Sequence, residues 1–209
     1  MEIQKCKICR KVGKKLFLKG ERCYSPKCAF TKRPIPPGPE SKRGSTMTDY
    51  GREFSEKQKL KAWYGLRETQ FKNYVKKVLA NLANSKIKAD ETLVRSLEMR
   101  LDNVVFRMGL ATSIKQARKL VSHGHIVVNG KKVNVASYAA RKGDKIAPSA
   151  KALAKPYFQK VLVDIKKYKS PSWIKLDGNT LQAEVSGFPT CEEVALPIQL
   201  SSVFEHYSK

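Results

Sequence analysis

The stretch Ser113-Ile114-Lys115-Gln116-Ala117-Arg118-Lys119-Leu120-Val121-Ser122-His123-Gly124-His125-Ile126-Val127-Val128-Asn129-Gly130-Lys131-Lys132-Val133 changes its hydrophobic period midway. Ser113 and Gln116 have the spacing of a capping box. Ile114, Ala117, Leu120 and Val121 then fall on one side of a short helix that Gly124 can end. Ile126-Val127-Val128 reads as a strand, Asn129-Gly130 as a two-residue hairpin turn, and Val133 and Val135 as its return strand. The inward positions are aliphatic. The polar side gathers Arg118, Lys119, His123, His125, Lys131 and Lys132 where helix meets hairpin. A rigid block presenting cations suits duplex or junction RNA, read by shape and phosphate spacing. Its polar side lacks aromatics on which single-stranded bases could stack. His123 and His125 are two apart with no third ligand nearby, which suits a helix C-terminus or a phosphate contact better than a metal.

Upstream, Asp90 is placed to cap a helix carrying Leu93, Leu97, Leu101, Val104, Val105 and Met108, with Gly109 as its stop. Arg100 and Arg107 ride on it. Before it, Phe71, Tyr74, Val75, Val78, Leu79 and Leu82 form one apolar stripe, with Lys72, Lys76 and Lys77 off it. A preceding helix from Glu53 to Tyr64 turns Leu60, Trp63 and Tyr64 inward and ends at Gly65. Downstream, Gly143-Asp144-Lys145-Ile146 is a turn into a strand. Tyr157 to Tyr168 is a helix with Val161, Ile165 and Tyr168 inward. A second hairpin spans Trp173 to Val185, and Ser202 to Tyr207 forms a last turn or two of helix with Val203, Phe204 and Tyr207 inward. The expected class is α+β: helices first, a small antiparallel sheet after, a short helix last.

The first 30 residues hold Cys6, Cys9, Cys23 and Cys28 in the spacing C-x2-C-x13-C-x4-C. Two close pairs suit one tetrahedral Zn²⁺, each pair forming a knuckle and four thiolates leaving no open position, so the ion would be structural. Lys5, Lys7, Arg10, Lys11, Lys14, Lys15, Lys19 and Arg22 surround the pattern and favour thiolate. Few aliphatics accompany it, so the metal is expected to supply most of this module's folding energy. Cys191 reads as an ordinary buried thiol. Arg33-Pro34-Ile35-Pro36-Pro37-Gly38-Pro39 is an extended arm. Flanked by Lys32, Lys42 and Arg43, it is either a linker or a segment lying along a phosphate backbone.

The 209 residues hold 42 Lys and Arg against 18 Asp and Glu, a formal charge of +24. That excess works against a compact state unless a polyanion neutralises it, so nucleic acid is the leading partner and an anionic membrane surface the runner-up. The excess stops abruptly: residues 170–209 hold two basic and five acidic side chains. No apolar run approaches the ~20 residues of a membrane span, and the N-terminus leads into no apolar signal segment. Outside the cysteine module and the cationic block roughly 90 residues remain, short of an ordinary catalytic domain. No phosphate-cradling glycine loop and no Ser/His or Cys/His constellation accompanies them, so the chain reads as a non-enzyme. A zinc-dependent DNA-binding regulator would need a recognition helix with base-reading Arg, Asn or Gln at its start, and none stands out.

The chain resembles the bacterial small-subunit ribosomal protein S-four family in its zinc-binding, four-cysteine form. The likeness rests on Cys6-Lys7-Ile8-Cys9, Leu16 to Cys23, Cys28, Arg33-Pro34, Pro36-Pro37-Gly38, Asp49-Tyr50-Gly51, Glu56 to Leu60, Gln70-Phe71, the stretch from Arg100 to Val133, and Tyr207-Ser208-Lys209. Ile114 and Ala136 depart from the family pattern. The resemblance implies a structural protein of the cytoplasmic ribosome. It would bind small-subunit ribosomal RNA at a multi-helix junction in the 5′ domain, early in assembly. Its neighbours would be proteins S-three and S-five and the messenger RNA where it enters, with an influence on decoding accuracy. It implies a zinc module and arm over 1–45, a helical domain over 46–98 completed by 170–209, and an inserted RNA-binding module over 99–169. The candidate RNA-binding residues are then Lys7, Arg10, Lys14, Lys15, Arg22, Arg43, Arg52, Lys57, Lys59, Arg100, Arg107, Arg118, Lys119, His123, His125, Lys131 and Lys132.

Overall fold

The computed structural model describes residues 5–38, 47–81 and 87–208. These divide into two compact units, one of residues up to 86 together with 196–209, the other of 87–195.

The first unit begins with three short helices, α1 (Lys5–Val12), α2 (Glu21–Tyr24) and α3 (Ala29–Lys32). Helix α4 (Asp49–Trp63) opens on Thr48, whose hydroxyl accepts from Gly51 N at 3.2 Å. It ends at Gly65, in the left-handed region at φ 59. Leu60 and Tyr64 are fully buried, while Trp63 is half-buried. On α5 (Glu68–Asn81) the stripe buries Phe71, Val75 and Val78 and leaves Lys72, Lys76 and Lys77 exposed. Leu82 lies outside the described residues.

The second unit begins with α6 (Ala89–Glu98) and α7 (Leu101–Arg107). The sequence predicts one continuous helix here, capped by Asp90; instead Lys88 is the capping residue and the helix breaks at Arg100, where ψ is 139. Tertiary pairing causes the break. Around the extended Arg100, residues 99–102 bond to the segment 136–140: Leu101 N to Tyr138 O at 2.8 Å, Asp102 N to Ala136 O at 3.2 Å, and Ala140 N to Met99 O at 2.8 Å. Three backbone bonds across the fold replace the helical bonds forgone.

Helix α8 (Ile114–Ser122) opens on Ser113, whose hydroxyl accepts from Gln116 N at 3.3 Å. The reciprocal half of the capping box is absent, because Gln116 Oε1 accepts instead from Thr112 N and Oγ1. Strands β1 (Ile126–Val128) and β2 (Lys131–Lys132) flank Asn129 at φ 49 and Gly130 at φ 78, the two positive dihedrals of a type I′ turn. The return strand stops at Lys132 instead of reaching Val135, since the following residues turn to meet Met99 and Leu101.

Next come β3 (Lys145–Pro148), α9 (Ala150–Leu153) and α10 (Pro156–Asp164), which tightens into a 3₁₀ turn at Ile165–Lys167. Ile165 is buried, but Tyr168 remains 42% exposed, its hydroxyl donating to Arg107 O at 3.1 Å. Strands β4 (Ile174–Asp177) and β5 (Gln182–Val185) complete an antiparallel sheet in the order β2-β1-β3-β5-β4. Register pairs Ile126 with Pro148 and Ile146 with Ala183.

This pairing corrects an expectation. The resemblance implies that the hairpin after residue 170 returns to the early helices, but β5 takes the open edge of β3, whose backbone groups need partners. Trp173, Ile174, Leu181, Ala183 and Val185 join one core with Leu101, Val104, Val121, Ile126 and Ile146. The short α11 (Cys191–Val194) packs on α6 within the same unit, so α6 too lies with the sheet. Of residues 170–209, only those from 196 return to the first unit, where α12 (Leu200–Ser208) packs on α4 and α5. Val203 is buried there, while Phe204 and Tyr207 are half-buried.

Candidate nucleic-acid interface

The N-terminal cysteines converge. Cys6 and Cys9 lie one turn apart on α1, Cys23 sits in α2, and Cys28 is the capping residue of α3. The first pair therefore rides on a helix and not on a knuckle. All four line one small cavity with Lys5, Lys15, Leu18, Lys19 and Phe30. Burial, reinforced by the neighbouring thiols, raises the Cys9 pKa. At Cys28 burial acts in the same sense, but hydrogen bonds from Thr31 and Phe30 and the charge of Lys15 outweigh it, and the pKa is lowered. Lys19 N donates to Cys23 Sγ at 3.3 Å. Among the described residues no group of three or more His, Cys, Asp or Glu stands in metal-holding geometry. The donor set nonetheless fits a thiophilic ion: four reduced sulfurs on one cavity, with cations at its rim to support thiolate.

Around this module Lys7, Lys14 and Arg22 are exposed and Arg10 and Lys15 half-buried. Arg10 clamps the proline arm, Nε donating to Ile35 O at 2.8 Å and a terminal nitrogen to Pro36 O at 3.4 Å. Lys14 Nζ donates to Pro197 O at 3.1 Å. These carbonyls orient the cations without neutralising them. Arg43 lies outside the described residues.

Other expected RNA contacts are turned inward. Lys57 donates to Glu68 at 2.9 Å and Lys59 to Glu56, both lysines buried. Arg100 is buried on Asp102, and Arg107 holds Glu98 through two bonds of 2.8 and 2.9 Å. Arg52 is exposed beside Asp49 at 3.7 Å. Burying a lysine or arginine without a carboxylate is too costly, so inward placement and pairing go together. Glu68 also accepts from Lys61 and Tyr207, and these bonds outweigh burial and hold its carboxyl down to about 2.

The surface of the second unit is different. Lys119, His123, Lys131 and Lys132 are exposed and Arg118 and His125 half-buried. Every acidic side chain between residues 92 and 163, namely Glu98, Asp102 and Asp144, is buried as an internal partner. Asp144 joins two loops, accepting from Asn129 Nδ2 at 2.9 Å and Arg141 N at 2.8 Å. The block thus faces solvent with cations and no carboxylate. Sequence reasoning missed Arg141, Lys142, Lys145 and Lys155, all exposed on this unit. The run at 141–145 adjoins the turn already read. Lys155 carries no local signal; the fold alone brings its Nζ to 3.3 Å from His125 Nε2.

Residues 2–98 match the model of the ribosomal protein S4/S9 N-terminal domain, and residues 99–146 match the S4 domain. The small ribosomal subunit protein uS4 of Kosmotoga olearia is 45% identical over 205 residues, covering 98% of this chain and 96% of the relative. That of Caldicellulosiruptor saccharolyticus is 45% identical over 206 residues, and that of Thermotoga maritima 42% over 205, with the same coverage. Cysteine module, helical layer, cationic helix-and-hairpin block and these full-length likenesses point one way: the chain belongs to the uS4 family of small-subunit ribosomal proteins.

Proposed function

We propose that this chain is a structural, non-enzymatic component of the cytoplasmic small ribosomal subunit that binds small-subunit ribosomal RNA directly. The observation that carries this is the sign of the surface between residues 92 and 163: Lys119, Lys131, Lys132, Arg141, Lys142, Lys145 and Lys155 are exposed, whereas its carboxylates are all buried. Such a face binds phosphate wherever backbone spacing matches it, which is how structured RNA is read by shape.

The finer assignment follows the family. The RNA site is a multi-helix junction in the 5′ domain, bound early in subunit assembly, and the working position is near the incoming messenger RNA, where the protein affects decoding accuracy. Proteins S-three and S-five are its proposed neighbours. Exposed rings support a protein-facing side: Tyr50, 61% exposed, stands beside Phe54 and His206 with centroids 6.3 and 5.4 Å away. Cys6, Cys9, Cys23 and Cys28 are proposed to hold one structural Zn²⁺, which would cross-link α1, α2 and α3.

The experiment is binding of the full chain to a transcript of the small-subunit 5′ domain across a salt series, together with sedimentation of the protein in washed lysate. Co-migration with small subunits and an affinity that falls linearly on a log–log salt plot are expected. Protein found only in the ribosome-free fraction overturns the reading.

A further inference from the structure

Four nitrogen-bearing side chains from three segments of the chain meet at the C-terminal end of α8. His123 and His125 stack with ring centroids 6.2 Å apart. Lys155, 30 residues further along, precedes α10 and places Nζ 3.3 Å from His125 Nε2. Lys132, from β2, lies across Gly124, where a Cβ would stand only 2.0 Å from Lys132 Cε. Gly124 also has φ +67, a backbone that favours glycine, and its missing Cβ leaves room for the Lys132 side chain. The titratable groups acting on His125 from these elements are Lys155, His123 and Lys132, and none is acidic. Phe158 closes the site from α10, edge-on to His125 at 6.5 Å.

Such a cluster is unfavourable by itself and becomes favourable around an anion. An ammonium can donate to Nε2 only while that nitrogen is unprotonated, so this hydrogen bond and the imidazolium form of His125 exclude one another. Burial first, then Lys155, His123 and Lys132, hold its pKa below the ordinary value. A phosphate among these groups accepts the Lys155 hydrogen bond and offsets the repulsion, and imidazolium becomes the better donor.

We propose that His123, His125, Lys132 and Lys155 form one phosphate-binding site, and that an RNA backbone phosphate entering it brings a proton from solvent onto His125. The proposal rests on the ribosomal RNA reading and adds to it a contact residue, Lys155, and a proton linkage.

Uptake of a proton on binding makes affinity rise as pH falls, by at most tenfold per pH unit. The test uses the full chain, the 5′-domain transcript and fixed ionic strength from pH 5.5 to 8. Wild-type affinity is expected to fall roughly three- to tenfold over that range, and His125→Asn to show a much flatter profile. Lys155→Met should weaken binding, while in the free protein it should raise the pH at which the His125 ring titrates by NMR. A lysine that only stabilised the fold would not move that titration. If wild type and His125→Asn both bind with parallel pH profiles, the proton linkage is wrong and the RNA reading stands. If Lys155→Met binds like wild type, the four-residue site is wrong. Failure of the wild type to bind the transcript at any pH overturns both the reading and the inference.

Discussion

Arg118 is held against Asp102 by two bonds to the same carboxylate oxygen, Nε to Oδ2 at 2.8 Å and a terminal nitrogen to Oδ2 at 2.7 Å. Asp102 is fully buried, while the Arg118 side chain is 29% exposed. The same carboxylate accepts from Arg100 at 2.9 and 3.1 Å and from Asn103 N at 3.0 Å. One buried carboxylate therefore fixes two guanidiniums and ties α7 to α8. Removing it leaves Arg100 buried without its counter-charge. Asp102→Asn should destabilise the protein by about 3–5 kcal/mol, read as a lower urea midpoint at unchanged slope. Arg118→Met removes a partly solvated partner and should cost well under half as much.

The inward and outward lysines should separate in experiment. Replacing Lys131 and Lys132 by methionine should lower ribosomal RNA affinity and flatten the log–log salt slope by roughly 0.7–0.9 for each phosphate no longer neutralised, with little change in melting temperature. Replacing Lys59 strands Glu56, which is buried beside it and also accepts from Gln199 N at 3.2 Å. Lys59→Met should therefore lower the melting temperature and leave the salt slope alone. A changed slope with an unchanged melt would place Lys59 on the RNA.

The same contrast marks the limit of what the chain's sequence discloses. The Asn129-Gly130 turn was legible because two consecutive positive φ values are a local demand that few residue pairs meet. The helical stripe of α5 was legible for the same reason of locality. The break at Arg100 was not, because its cause is a segment some forty residues away that pairs across it. The second hairpin was legible as strands, but alternation does not say which edge a strand will occupy. Charge counting could not separate Lys57, Lys59 and Arg100 from Lys131 and Lys132, since the difference lies in which carboxylates the fold sets beside them. Lys155 reaches His125 only through tertiary placement.

Acid should loosen the seat of the C-terminal helix. Glu68 accepts from Lys57, Lys61 and Tyr207 at 2.9, 2.7 and 2.9 Å, joining α4, α5 and α12. Its carboxyl titrates at about 2, below the ordinary 4.5. A depressed acid contributes stability that is complete above the unfolded value and lost as pH falls from there toward the folded one. The melting temperature should accordingly drop between pH 5 and 2, with less of a drop in Glu68→Gln, which starts lower at pH 7. Because Glu68 is almost half exposed, salt should weaken the effect. Identical pH profiles for both proteins would show that Glu68 does not hold α12.

The metal is the decisive test of the N-terminal module. Apart from its cysteines, Leu16 is the one buried hydrophobic side chain among described residues 5–38. Helices of eight, four and four residues are far too short to persist unaided. A cross-link at the cysteine cavity is what this segment needs, and the proposed Zn²⁺, with four sulfur ligands at ~2.3 Å, would supply it. Protein purified without chelator should carry about one zinc per chain on that donor set. Stripping it should unfold residues 5–38 as seen by hydrogen exchange, while the sheet of the second unit stays protected. Ribosomal RNA affinity should fall without vanishing, because Lys7, Lys14 and Arg22 lose their fixed positions and must be ordered again on binding. Cys23→Ser should mimic chelation, and Cys191→Ser should leave metal content unchanged, since Cys191 lies in the other unit. Zinc absent from the purified protein, or lost equally in both variants, would mean that no metal cross-links α1, α2 and α3 and that some other force orders them.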